Sequence, residues 1–167
     1  MHLYNFFVTP FYPYWFHNPM YRPYLHRQFT QLNNYVPKPY VINIDKATEE
    51  NDNYRTVVWT GKHLQLTLMS IDVGDDIGLE VHPNLDQFIR IEEGHGLVQM
   101  GSSKDILNFQ QKVSDGYAIM IPAGTWHNVV NTGHKPLKLY AIYAPPEHQP
   151  GTIHETKEEA IKEHNHL

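Results

Sequence analysis

The chain has 167 residues, a net charge of −5, 41% hydrophobic residues and no cysteine. Without cysteine there are no disulfides, thiolate metal sites, iron–sulfur clusters or thiol nucleophiles, so any metal must be held by imidazole, carboxylate or amide oxygen. No run approaches the ~18 apolar residues that span a bilayer and the opening MHLYNFF lacks a signal-peptide layout, which together predict one cytoplasmic domain without a membrane span.

In chain order, residues 1–44 read as an aromatic and proline-rich arm, with seven of the eleven tyrosines and Pro10, Pro13, Pro19, Pro23, Pro37 and Pro39. Proline removes backbone donors and biases its predecessor toward extended geometry, so the arm is expected in polyproline-like pieces against a surface, its own or a neighbour's. Leu25 to Tyr35 is the one stretch there with a weak helical pattern, ended by Pro37. No acidic residue precedes Asp45, so the arm carries +3 from Arg22, Arg27 and Lys38 and leaves −8 for the remainder. An acidic body without a basic stripe speaks against a nucleic-acid partner.

Residues 45–150 form the predicted barrel. Short runs rich in β-branched and aromatic residues, separated by Gly, Asn and Asp, predict nine strands: 55–60, 63–71, 77–82, 87–93, 96–101, 106–113, 117–122, 126–131 and 137–143. Leu64, Leu66 and Leu68 alternate with Gln65 and Thr67, which sends one set to each face. Thr60-Gly61 and Asp115-Gly116 are turn dipeptides. Residues 151–167 read as a strap and a short polar helix, opened by a Thr156/Glu159 capping box, with His164 and His166 in a solvated tail. The preceding stretch from Pro145 to His154 is left open as a lid or a strap.

Two spaced patterns carry the chemistry. The first runs Gly74, five residues, Glu80-x-His82, four residues, Gln87, six residues, Gly94; the second runs Gly116, five residues, Pro122-x-Gly124, two residues, His127, three residues, Asn131. Glu80 and His82, two apart on one strand, project from the same face, and Gln87 opens the next strand. Three strands can thus aim four donors, Glu80, His82, Gln87 and His127, at one point. Two imidazoles and a carboxylate suit a divalent metal ion, with Zn, Fe, Mn and Ni all open.

In spacing the two patterns resemble the two motifs of the cupin superfamily, whose usual form has His-x-His and a later Glu in the first and one His in the second. The resemblance covers residues 74–131 directly and about 54–145 with the flanking strands. It implies an all-β, double-stranded β-helix of the jelly-roll type, with the N-terminal arm and short C-terminal helix outside it, and a homodimer, the habit of many single-domain cupins. Glu80 stands where the first His is usual and Gln87 where the Glu is usual. Asp86 competes with Gln87 as ligand, though strand alternation turns it away if Gln87 faces in.

Three functions follow from the resemblance. Type I mannose-6-phosphate isomerases are similar in using two His, one Glu and one Gln on zinc. That implies an isomerase-like enzyme acting on a sugar or sugar phosphate, with Glu80 as catalytic carboxylate and His63 or His154 as further bases. A quercetinase-like dioxygenase would use Glu80 as base within aromatic walls from Trp126, Tyr117 and Tyr143. A non-enzymatic small-molecule-binding or coat-assembly protein would use the sticky arm, which is similar in composition to those of surface-layer and spore-coat proteins. Trp59 is expected in the core or pocket lining, Arg90 and Glu92 as a solvated or interface pair, His95 in a turn, and Phe88 between sheets or against a second subunit.

Overall fold

A computed structural model of the chain describes residues 37–164. Most of the aromatic arm, including Leu25 to Tyr35, lies outside the described residues, as do His166 and the side chain of His164. The first element is a helix that the proline-rich reading does not anticipate. It is α1 (Ile44–Glu50), capped by Asn43, whose side chain accepts a hydrogen bond from the Lys46 N–H at 3.1 Å. Such a cap satisfies one of the free N–H groups of a new helix.

The nine strands of the described residues are β1 (Arg55–Thr60), β2 (Gln65–Ile71), β3 (Asp86–Glu93), β4 (His95–Gly101), β5 (Phe109–Ser114), β6 (Ala118–Ile121), β7 (Trp126–Asn131), β8 (Leu137–Ala144) and β9 (Ile153–His154), followed by α2 (Lys157–His164). They form two antiparallel sheets, one of six strands in the order β6-β3-β8-β2-β1-β9 and one of three in the order β5-β4-β7. The jelly-roll architecture expected from the sequence is the one observed. No helix among the described residues is long and apolar enough to cross a membrane.

The register sorts the inward side chains into rungs. Gln65, Tyr143, Gln87 and Ile121 form the first; Thr67, Ala141, Ile89 and Ile119 the second; Met69, Leu139 and Ile91 the third; Ile71 and Leu137 the last. Ile71, Ile91, Leu137 and Leu139 are fully buried, and each such aliphatic side chain contributes about 1.5–3 kcal/mol of burial free energy. On the outer face, Trp59, Leu66, Ile142, Phe88 and Met120 line up as an apolar rung across five strands. Phe88 therefore lies on the outside of its sheet, next to the 63% exposed Met120.

Four expectations about the elements change. Residues 77–82 are not a strand; Asp76 bridges Val130 and Glu80 bridges His127, so the segment gains one residue over β7 and bulges at Gly78, whose φ is +86°. The segment predicted to begin at Ile106 becomes a strand only at Phe109, because Ile106 bridges back to Ser103. His95 opens β4 rather than sitting in a turn. β9, too short to show in a pattern, pairs with Arg55 and Thr56.

Candidate metal centre

The bulge at Gly78 sets the site. Beyond it the backbone of Glu80 exchanges both hydrogen bonds with His127, at 3.0 and 2.9 Å, which fixes the two side chains on neighbouring strands. His82 follows two residues on, its carbonyl accepting from the Gly124 N–H at 2.8 Å. Gly124 has φ +79°, a left-handed conformation that suits glycine, so the turn before β7 depends on it.

These contacts gather three donors. Glu80 Oε1 lies 3.3 Å from His82 Nε2 and 3.3 Å from His127 Nε2. One ligand atom from each of Glu80, His82 and His127 lies within 4.8 Å of the others, a spacing a metal ion can bridge. His127 Nδ1 is 2.9 Å from the Thr125 carbonyl, an acceptor, so that nitrogen carries the proton and leaves Nε2 bare. On the far side of the other ring, His82 Nδ1 is 3.4 Å from Glu147 Oε1.

The electrostatics follow from this packing. Burial pushes the Glu80 carboxyl up, but the His127 and His82 imidazoles packed against it outweigh burial and hold it at about 2. Burial works against charging His82, and the Glu80 hydrogen bond, with the charges of Glu80 and Glu147, overcomes it and raises its pKa. His127 Nε2 and Gln87 Oε1 are both buried without a hydrogen-bond partner. Buried polar atoms left in that state are costly, and both point to a group the protein itself does not supply.

Gln87 is buried in the first inward rung, between Tyr143 and Ile121. Asp86 is exposed and accepts a hydrogen bond from the Ala123 N–H at 2.9 Å, so it ties the loop after β6 to the start of β3. Of the other predicted site residues, His63 is exposed in the β1–β2 turn and His154 is paired with Glu163 on α2. Neither makes a contact with the three donors. Tyr143 is buried, its ring edge-on to His82 at 5.6 Å. Trp126 precedes His127 on β7 and so points to the opposite face. Tyr117 is 47% exposed and pairs with Ile91, four residues along β3 from Gln87. Arg90 and Glu92 do pair, at 3.0 Å, with Glu92 buried.

Within the stretch from Pro145 to His154, which the sequence left open as a lid or a strap, residues 147 and 148 close this end, and what the sequence did not show is the residue that holds them. Gln65, fully buried, donates to the carbonyl of His148 at 2.7 Å and to Thr60 Oγ1 at 2.9 Å, and accepts from the N–H groups of Glu147 and His148. One side chain of β2 thereby holds residues 147 and 148 over the barrel mouth. It places Glu147 against His82 and the His148 ring edge-on to Tyr143 at 5.0 Å. Burial, aided by the charge of Arg55, pushes His148 down to about 3, so it is neutral. The only sequence signal was an acid and a histidine within a proline-flanked loop.

Three comparisons bear on this arrangement. The Cupin domain family model matches residues 67–143. The chain is 64% identical over 130 residues to the uncharacterized protein YrkC of Bacillus subtilis, covering 78% of this chain and 70% of that one. It is 44% identical over 115 residues to an uncharacterized protein of Acanthamoeba polyphaga mimivirus, covering 68% and 70%. A crystal structure from Bacillus halodurans, 64% identical, superposes with a TM-score of 0.75 over 75% of this chain and 96% of that one.

Proposed function

Because the chain belongs to the cupin family, we propose that Glu80, His82 and His127, joined by the Gln87 amide oxygen, hold a divalent metal ion in a cytoplasmic, isomerase-like enzyme that acts on a small oxygen-rich substrate, a sugar or sugar derivative. The observation that carries this reading is the convergence of three ligand atoms within 4.8 Å, with Nε2 of both imidazoles turned toward Glu80. The unpartnered His127 Nε2 and Gln87 Oε1 fit the same ion, since a cation relieves both. Two imidazoles, one carboxylate and one amide suit Zn, Fe, Mn or Ni. Such an ion would supply Lewis-acid stabilisation of negative charge on a substrate oxygen.

The protein's own groups divide the remaining work. Held at about 2, Glu80 stays ionised and suits a ligand better than a base, which works best with a pKa near the working pH. Proton transfer is assigned instead to Glu147, at the mouth beside His82 and 35% exposed. The dioxygenase reading asks for aromatic walls, and of Trp126, Tyr117 and Tyr143 only Tyr143 lies against the site. The coat-assembly reading rests on the arm, most of which is outside the described residues.

Elemental analysis of the purified protein beside His82→Ala and His127→Ala tests the centre. About one metal per chain in the parent and loss in both variants is expected; full metal content in both variants overturns the site. We also assign the outer apolar rung from Trp59 to Met120 to a homodimer interface. Sedimentation of Met120→Glu is expected to show monomer where the parent shows dimer, and a monomeric parent ends that assignment.

A further inference from the structure

We infer that the substrate of this site is a small carboxylate bearing hydroxyl or carbonyl oxygens, and that Arg55 binds its carboxylate; the inference rests on the metal-centred reading above. Arg55 opens β1 two residues before Val57, which is buried and pairs with Thr67, so both side chains face the space between the sheets. It is 8% exposed, and its Nε is buried without a partner. Among the described residues its side chain makes no hydrogen bond and no ion pair. Its one close companion is the Tyr54 ring, whose centroid lies 5.5 Å from the guanidinium carbon.

That state is unusual within this protein as well as in general. The other buried lysine or arginine among the described residues, Lys138, is paired with Asp52. A guanidinium withdrawn from water with no anion beside it is strongly unfavourable, and a cation–π contact recovers only part of the loss. The missing partner is therefore an anion that enters the barrel. The charge of Arg55 reaches the strap at the mouth of the barrel: after burial, it is the next cause keeping His148 neutral.

The charge balance selects the class of anion. One guanidinium matches one carboxylate in both charge and fork geometry. A phosphate dianion would bring a second negative charge, and among the described residues no further buried lysine or arginine is free to meet it. Hydroxyl or carbonyl oxygens on the same small molecule are then the Lewis bases that the metal ion proposed above would polarise.

Calorimetric titration of the metal-loaded protein, Arg55→Lys and Arg55→Met with lactate, tartrate and gluconate, and with the uncharged propane-1,2-diol and glycerol, tests this. At least one carboxylate is expected to bind the parent about tenfold or more tightly than the diols, the gain of a charge-assisted hydrogen bond. Arg55→Met is expected to lose that preference and Arg55→Lys to keep part of it, with metal content unchanged in all three. Since Arg55→Met removes an uncompensated charge, its melting temperature without ligand is expected at or above that of the parent. Carboxylates that bind no better than the diols, or equally well to Arg55→Met, overturn the inference. So does a lower melting temperature in Arg55→Met with unchanged carboxylate affinity, which marks Arg55 as structural. A parent without metal whose carboxylate binding still depends on Arg55 sinks the metal reading and spares this one.

Discussion

The third and last inward rungs hold Met69, Leu139, Ile91, Ile71 and Leu137; two or three rungs along the same strands stand Gln65, Tyr143 and Gln87, facing Glu80, His82 and His127 from the other sheet. The first group needs only to be kept from water. The second needs partners, and finds some of them: Gln65 in the strap, Glu80 in the His82 imidazole. What it does not find, at His127 Nε2, Gln87 Oε1 and Arg55 Nε, marks where the protein gives up stability for function.

The sharpest test of this division is to damage the apolar end alone. Leu139→Ala opens a cavity in a fully buried rung and is expected to cost about 2–5 kcal/mol in urea unfolding, with metal content unchanged. Equal loss of metal and stability would mean that the two ends are one unit. At the polar end, Glu147→Gln leaves a neutral oxygen beside His82 Nδ1. Carboxylates behind a metal-bound imidazole raise its basicity and fix its orientation, so metal affinity is expected to fall about 10–100-fold, read by competition with a chelator, at nearly unchanged melting temperature. Unchanged affinity would show that Glu147 does not support His82 as a ligand.

The smallest effect is expected outside both regions. Asp76, on the bulged segment ahead of Glu80, is resisted by burial but held below the usual aspartate range by Lys157, Asn128 and the Gly78 N–H. A carboxyl whose folded pKa is depressed contributes stability above its unfolded value near 4, and that contribution is lost as pH falls through the lowered folded value. Asp76→Asn is therefore expected to cost at most about 1 kcal/mol at neutral pH and to flatten the acid limb of the stability curve below about pH 4. An acid limb identical to that of the parent would remove Asp76 from the account.

Much of this was legible in the chain itself. Period-two alternation and turn glycines located eight of the nine observed strands closely enough to predict an all-β barrel or sandwich. The spacing from Glu80 to His127 named three donors that converge, because a strand places side chains two apart on one face whatever surrounds it. Alternation does not say which face is inside when both carry apolar groups. Gln65 and Thr67 took the interior while Leu64 is 41% exposed, since only closure of the sheets and the strap supplied Gln65 with partners. Arg55, Glu147 and His148 left no local signal either. Residues 82 and 147 meet, and 65 and 148 meet, through chain reversals whose geometry is set by the packed sheets, so the donors belong to local sequence and their surroundings to tertiary structure.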